Sequence, residues 1–382
     1  MALGGLWPEI PKGTFAKVPF GGARGRASKT FRSPQAQKDN NMLKVCIIGM
    51  GPIGNIHAWS YSDCPDAQLV GVCDIREDRA AAGGKKFGVP CFTDAQEMLD
   101  LLKPDICSIC TGGIEYSSDH YAPTMQALRA GCHVIGEKPI SNDLERAQEM
   151  VTYAREHDLC YGIDLNHRFT PAARQAKKWQ DDGRIGAPLF CNMALWIGKQ
   201  QPLDSKYYML KALNPHSCDI MRYFMGDVEK VTAFAMVAPN RTEKDTDYYS
   251  TVSINMQFTS GAVGHLTASY DIVRGHPMER CEVAGTQGRF TFEDMWRQAT
   301  LYPAETWLKE QYTNPVFGGF RNFDDTFRDR IHTFAREVAA GVKPSDIDGK
   351  AQDGLEASRI IHAAIESIKQ NGAVIKVADI TK

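Results

Sequence analysis

Three glycines constrain this chain more than any other feature. Gly49, Gly51 and Gly54 stand at the spacing G-x-G-x-x-G, directly after the apolar run Leu43–Ile48 and directly before a helix-like stretch through Tyr61. In that setting the first glycine permits a tight turn and the second lets the backbone approach a pyrophosphate. The third lets a helix pack closely on a strand, and the helix N-terminus offers free N–H groups to phosphates. The string alone is weak; the strand before it and an acid at the end of the next strand strengthen it. That acid is Asp74, which closes the predicted strand Gln68–Cys73. A carboxylate there accepts both ribose hydroxyls of an adenosine and repels a 2′-phosphate, or it merely caps the next helix. Arg76 stacks on adenine or helps to tolerate a 2′-phosphate. NAD is therefore the expected cofactor, with NADP left open.

The pattern around the glycines repeats. Predicted helices over Arg76–Phe87, Ala95–Leu102, Tyr121–Ala130 and Leu144–His157 alternate with short apolar strands near Val89–Phe92, Asp105–Cys110 and His133–Gly136. Strands alternating with helices of this length argue for parallel βαβ units, and continuous apolar strands argue for a sheet covered on both faces. After Gly162 a helix over Pro171–Gln180 and the segment Pro188–Ile197 lead into a polar loop to Leu213 and a helix over Pro215–Phe224. Consecutive strands follow at Val231–Ala238, Tyr249–Phe258, Val263–Tyr270 and Arg280–Ala284, and helices over Asp324–Ala340 and Leu355–Gln370 close the chain. The expected fold class is α/β: a doubly wound parallel sheet over 42–162, then an α+β region over 163–382 with a large, mostly antiparallel open sheet. Residues 1–41 are Arg-rich, acid-poor and without period. They read as a disordered leader or an expression-derived extension ahead of Met42, with a transit peptide as the alternative.

Composition removes other classes. Lys+Arg 44 against Asp+Glu 46 gives a net charge of −2, leaving no basic excess for a phosphate backbone, so nucleic acid is not an expected partner. No apolar run approaches the roughly 20 residues that span a bilayer, so neither is a membrane. The 11 cysteines have no repeated spacing and lie mostly in apolar runs, as reduced thiols of a cytoplasmic protein would. Cys107 and Cys110 have a metal or redox spacing, but on a strand they face opposite ways. No Cys/His/Asp set has metal-ligand spacing, and no metal is expected.

Further along, Glu137-Lys138-Pro139 joins a longer series: Ile48 to Gly54 with His57, Cys110-Thr111-Gly112, His120 before a helix, Ala130 to Pro139, Asn166 to Pro171, Gly183 to Gly186, His216 to Asp219, and Ala284 to Gly288. In this order the series resembles the Gfo/Idh/MocA family, named for glucose–fructose oxidoreductase, inositol 2-dehydrogenase and a rhizopine-catabolism protein. The resemblance covers roughly 42–370. It implies an NAD(P)-dependent dehydrogenase acting on a CH–OH group of a sugar, sugar derivative or cyclic polyol, and a homodimer or homotetramer joined through the open sheet. It also implies cofactor contacts at Gly49, Gly51, Pro52, Ile53, Gly54, Asp74, Arg76, Thr111, Gly112, His120, Glu137 and Lys138. Lys138, His216 and Asp219 are the expected catalytic residues, and Lys138, Arg168, Tyr207 and His216 the expected substrate contacts.

The residues themselves carry part of this. Lys138 follows a parallel strand, so it sits at the carboxyl edge where ligands bind, and its ammonium can polarise a substrate oxygen. Asn214-Pro215-His216 reads as an N-cap and a first helical turn, whose positive end favours a neutral, base-competent imidazole. Asp219 orients that ring or anchors its helix. Arg168 contacts substrate or pairs between regions, and His120 approaches the nicotinamide or caps its helix. Trp196, Tyr207 and Tyr208 stack on sugar or fill core. Many members of the resembled family carry an Asp four residues before His216. Ala212 stands there, which makes Lys211 and Tyr207 alternative proton acceptors. Two rival functions share the fold: an enzyme that oxidises a sugar transiently to cleave or eliminate, and a non-catalytic nucleotide sensor.

Overall fold

The computed structural model describes residues 42–113, 118–198, 206–239, 248–272 and 278–381. The leader 1–41 and positions 199–205 of the loop before Leu213 lie outside them. Six parallel strands form the first sheet: β1 (Leu43–Ile48), β2 (Ala67–Cys73), β3 (Cys91–Phe92), β4 (Ile106–Ile109), β5 (His133–Gly136) and β6 (Tyr161–Ile163). Their spatial order is β3-β2-β1-β4-β5-β6, so the direction of winding reverses between β1 and β4. A crevice opens at that point beyond the carboxyl ends of the strands. Helices α1 (Pro52–Tyr61), α2 (Glu77–Phe87), α3 (Ala95–Leu102), α4 (Tyr121–Arg129) and α5 (Leu144–Glu156) make the crossovers. Strands β1, β4 and β5 are almost wholly buried, as their unbroken apolar sequences require. Cys107 packs in the core on one side of the sheet and Cys110 in the core on the other, both as free thiols.

A 3-10 turn (Asn166–Phe169) leads to α6 (Pro171–Asp181), capped by the Thr170 hydroxyl on the Ala173 N–H, and then to β7 (Pro188–Trp196). Part of the expected polar loop is helical, α7 (Tyr208–Ala212), and runs directly into α8 (Asn214–Met225). Leu213, not Asn214, occupies the N-cap of α8, with no side-chain cap bond. The second sheet holds β7 with β8 (Val228–Met236), β9 (Thr251–Phe258), β10 (Val263–Ser269), β11 (Glu279–Gly285), β12 (Gly288–Glu293), β13 (Gln298–Pro303), β14 (Glu310–Thr313) and, near the end of the chain, β15 (Ile375–Lys376). Its order is β14-β13-β12-β11-β7-β10-β9-β8-β15. Every neighbouring pair is antiparallel except β7 with β10. Inward residues alternate along the strands, as Val252, Ile254, Met256 and Phe258 do on β9, over a core shared with α8.

Two closing helices, α9 (Asp324–Ala339) and α10 (Ala351–Lys369), tie the sheets together. Phe327, Ile331 and Phe334 of α9 share one core with Val45, Ile47 and Ile135 of the first sheet. A β-carbon on Gly162 would lie 2.3 Å from the buried Arg330 guanidinium, so β6 passes close to α9. The expected cut after 162 therefore falls within β6 and assigns to the second region a helix that covers the first sheet.

Candidate active site

The glycine turn is shaped by contact. Gly49 has φ +99°, and a β-carbon there would meet the Cys110 carbonyl oxygen at 2.5 Å. One on Gly54 would lie 1.8 Å from the Gly49 carbonyl oxygen, which brings α1 against the loop. Gly51 faces open space, its nearest neighbour being the Arg79 guanidinium at 3.9 Å. That opening sits at the N-terminus of α1, where Pro52 takes the first helical position and has no N–H to leave unpaired, and the Ile53 N–H lacks a helical acceptor. The arrangement fits a pyrophosphate. Asp74 ends β2 beneath it, accepting from the Met50 N–H (2.7 Å) and the Arg76 N–H (2.9 Å). It does not cap α2, whose N-cap is Arg76. The Arg76 guanidinium pairs instead with exposed Asp78.

On the other side of the crevice, His120 sits at the N-cap of α4 without capping it. Its ring bridges the carbonyls of Pro139 (2.7 Å) and Thr111 (3.0 Å), tying the end of β4, next to Gly112, to the turn after β5. In that turn the Lys138–Pro139 peptide is cis. Glu137 points inward, its Oε1 3.1 Å from His57 Nε2, rather than out over the crevice. Lys138 points across the crevice, and its ammonium donates to the Ala212 carbonyl at 3.2 Å.

His216, on the first turn of α8, is buried. Burial, then His167 and Lys138, push its pKa well below the usual histidine range, so the ring is neutral at pH 7. It stacks on His167 with centroids 4.0 Å apart and planes 4° from parallel, and its buried Nδ1 has no hydrogen-bond partner. His167 Nδ1 lies 2.9 Å from buried Glu279 Oε2, an ion-pair separation not aligned as a hydrogen bond. Sequence reasoning missed both: ring stacking between a 3-10 turn and a helix distant in sequence leaves no local pattern.

Two expectations need correction. Asp219 does not orient His216; its carboxylate takes Nε (2.8 Å) and Nη2 of Arg168. Arg168 in turn is not free for substrate. Its Nη1 also reaches Asp348 (3.1 Å) and Asp353 (3.2 Å), and its face lies over the Tyr223 ring. A buried guanidinium is stable only when its donors find acceptors, and these carboxylates supply them. Against the cost of burial, Asp219 and Asp353 hold Arg168 firmly protonated.

Tyr207 is half-buried against Tyr249 at the start of α7, and Trp196 ends β7 half-buried. Tyr208 packs near Tyr248 and Tyr270. Lys211 lines a narrow cavity with Pro139, Ser141, Asn142, Ser358 and His362, and burial lowers its pKa. Among the described residues one group brings three metal-type ligand atoms together: His57, Glu137 and Asp164, within 4.8 Å of one another. These residues are far apart in sequence, so spacing alone did not reveal them. Among the described residues no helix is long and apolar enough to cross a membrane.

A doubly wound sheet with an open glycine turn, facing a second sheet across a crevice that holds a lysine and a neutral histidine, defines a two-part dinucleotide-binding oxidoreductase. Residues 43–165 match the family model for an oxidoreductase family with an NAD-binding Rossmann fold, and 173–291 match that family's C-terminal domain. The chain belongs to the Gfo/Idh/MocA family. It is 26% identical over 339 residues to a myo-inositol 2-dehydrogenase of Thermotoga maritima, covering 87% of this chain and 98% of that one. A D-glucoside 3-dehydrogenase of Escherichia coli is 38% identical over 146 residues, 38% of this chain and 40% of that protein. A levoglucosan dehydrogenase solved with NADH and levoglucosan shares the fold at a TM-score of 0.77 and 22% identity, covering 88% of this chain and 100% of that one.

Proposed function

We propose that this protein is an NAD-dependent dehydrogenase that oxidises a CH–OH group of a sugar, sugar derivative or cyclic polyol. The observation that carries the reading is the convergence of Lys138, from the carboxyl edge of the first sheet, with neutral His216 at the start of α8. Relatives named for inositol and glucoside oxidation give the substrate class. Gly49, Gly51, Pro52, Ile53 and Gly54 hold the pyrophosphate of NAD, and Asp74 holds its adenosine ribose. The cofactor, when bound, supplies the hydride acceptor. Lys138 donates from Nζ to the substrate hydroxyl oxygen and stabilises negative charge as it develops. His216 takes the hydroxyl proton, leaving a carbonyl product. Tyr207 lies beside the same cleft as a sugar contact. The protein acts in the cytoplasm as a homodimer or homotetramer through the solvent-facing side of its nine-stranded sheet, which carries the half-exposed Phe234 and Val263.

Incubation with NAD and a panel of polyols and glycosides tests this. Reduced nicotinamide accumulating in step with substrate oxidation is the expected result. Product release without net reduction would overturn it in favour of transient oxidation, and no turnover on any member of the panel would overturn the substrate class.

A further inference from the structure

One imidazole, shielded from solvent, joins four elements of the first sheet's working edge. His57 lies on α1, the helix that springs from the glycine turn, and is 0% exposed. Its Nδ1 is 2.8 Å from Ser108 Oγ on β4. Its Nε2 is 3.1 Å from Glu137, directly after β5, and 3.3 Å from Asp164, directly after β6. The Cys110 thiol and the Tyr61 hydroxyl lie beside the ring, the edge of Phe327 packs on it, and the Arg330 guanidinium faces Asp164. Charges this deeply buried persist only when paired. Burial opposes a charged ring, yet Cys110, Asp164 and Glu137 outweigh it and hold His57 well above the usual histidine range. Burial likewise opposes an ionised Glu137, but His57 pulls its carboxyl below the usual range. Asp164 is pushed up by burial, and neither of its oxygens has a hydrogen-bond partner.

We infer that His57 is a positioning residue: through Glu137 it fixes the adjoining Lys138 ammonium relative to the glycine turn at the head of α1. The same ring thus sets the distance between the phosphate-binding backbone and the group that touches the substrate. This rests on Lys138 acting on the substrate oxygen. A small cation could also bridge the three ligand atoms. The Arg330 charge beside Asp164 and the direct 3.1 Å hydrogen bond favour a proton instead.

A double-mutant cycle on the full chain tests the coupling. His57→Leu removes the donor to Glu137 and is expected to lower kcat by about ten- to a hundredfold, the scale of an ångström-level misplacement. NAD affinity, measured by equilibrium titration, should change little. His57→Gln, whose amide can still donate to Glu137, should recover part of the loss. In a Lys138→Met background His57→Leu should cost little more, because the group it positions is gone. Multiplying losses, or wild-type kcat in His57→Leu, would overturn the inference. Glu137→Gln is read in the same way should His57→Leu fail to fold. An activity lost to chelation and restored by a divalent cation would also overturn it. If Lys138→Met itself stays active, the reading of Lys138 fails instead, so the two failures are distinct.

Discussion

The Lys138 ammonium hydrogen-bonds the Ala212 carbonyl at 3.2 Å, so the first sheet's catalytic candidate is anchored on a backbone atom of α7. A backbone carbonyl accepts a hydrogen bond but carries no titratable charge, so it orients the lysine without forming an ion pair with it. Lys138→Met is expected to lower turnover on the order of a hundredfold or more, the scale of one lost electrostatic donor. The loss of one such hydrogen bond should cost only about 1 kcal/mol of stability. Steady-state kinetics with a parallel thermal melt check this, and near wild-type turnover would remove Lys138 from the mechanism.

The His216 ring should set the acidic limb of the pH–rate profile, displaced to well below pH 6.5. Burial lowers its pKa first, followed by His167 and Lys138, so the neutral base persists into mild acid. The stability effect has the matching sign. Between the lowered folded value and the ordinary unfolded value of about 6.5, the unfolded chain binds more protons, so stability falls as pH drops through that window. His216→Ala should abolish most turnover, remove the limb and flatten the pH dependence of the melt. An unchanged limb would place the base elsewhere, with Tyr207 and Lys211 next to test.

Asp74 carries two jobs in one carboxylate, the Met50 N–H that shapes the glycine turn and the ribose contact proposed above. Asp74→Ser should therefore weaken NAD binding and also narrow the preference for NAD over NADP. Comparing kcat/KM for the two cofactors measures both. A wild-type preference for NADP of tenfold, about 1.4 kcal/mol, would show that Arg76 governs the site.

Arg168→Met should act on stability before catalysis. It leaves Asp219 buried and uncompensated, with Asp348 and Asp353 also losing a partner. Breaking a buried pair on one side costs about 3–5 kcal/mol, readable as a lower denaturation midpoint. An unchanged midpoint with a raised substrate KM would restore Arg168 as a substrate contact.

The sequence made the parallel character of the first sheet, the mostly antiparallel second sheet and most helices legible, because strand burial and glycine spacing are local patterns. Helix α3 falls on the predicted Ala95–Leu102, and α6 extends the predicted Pro171–Gln180 by one residue. Strands β13 and β14 were not anticipated; β13 is six residues and β14 four, and they end in proline and a polar residue, which weakens their alternation. At the site, the position of Lys138 after a parallel strand put it at the carboxyl edge, where its side chain lies; that the preceding Glu137 turns inward to His57 was not legible. The partners of Arg168 could not be read, because Asp348 and Asp353 lie far along the chain and approach only once α9 and α10 have folded back. The burial of His57 was equally silent. Its spacing from Gly54 suggests a place on α1 but not that Glu137 and Asp164 meet it.

The way α9 returns to the first sheet bears on how the protein is made. The six strands of that sheet are complete in sequence at Ile163, but Phe327, Ile331 and Phe334 belong to the same core as Val45, Ile47 and Ile135. A ribosome must therefore extrude every strand of the second sheet except β15 before the first can be closed, leaving apolar surface bare on the nascent chain. Premature termination before α9 would leave both halves unfinished, because α10, which follows it, fills the core of the second sheet, a hazard carried by the order in which the chain is made.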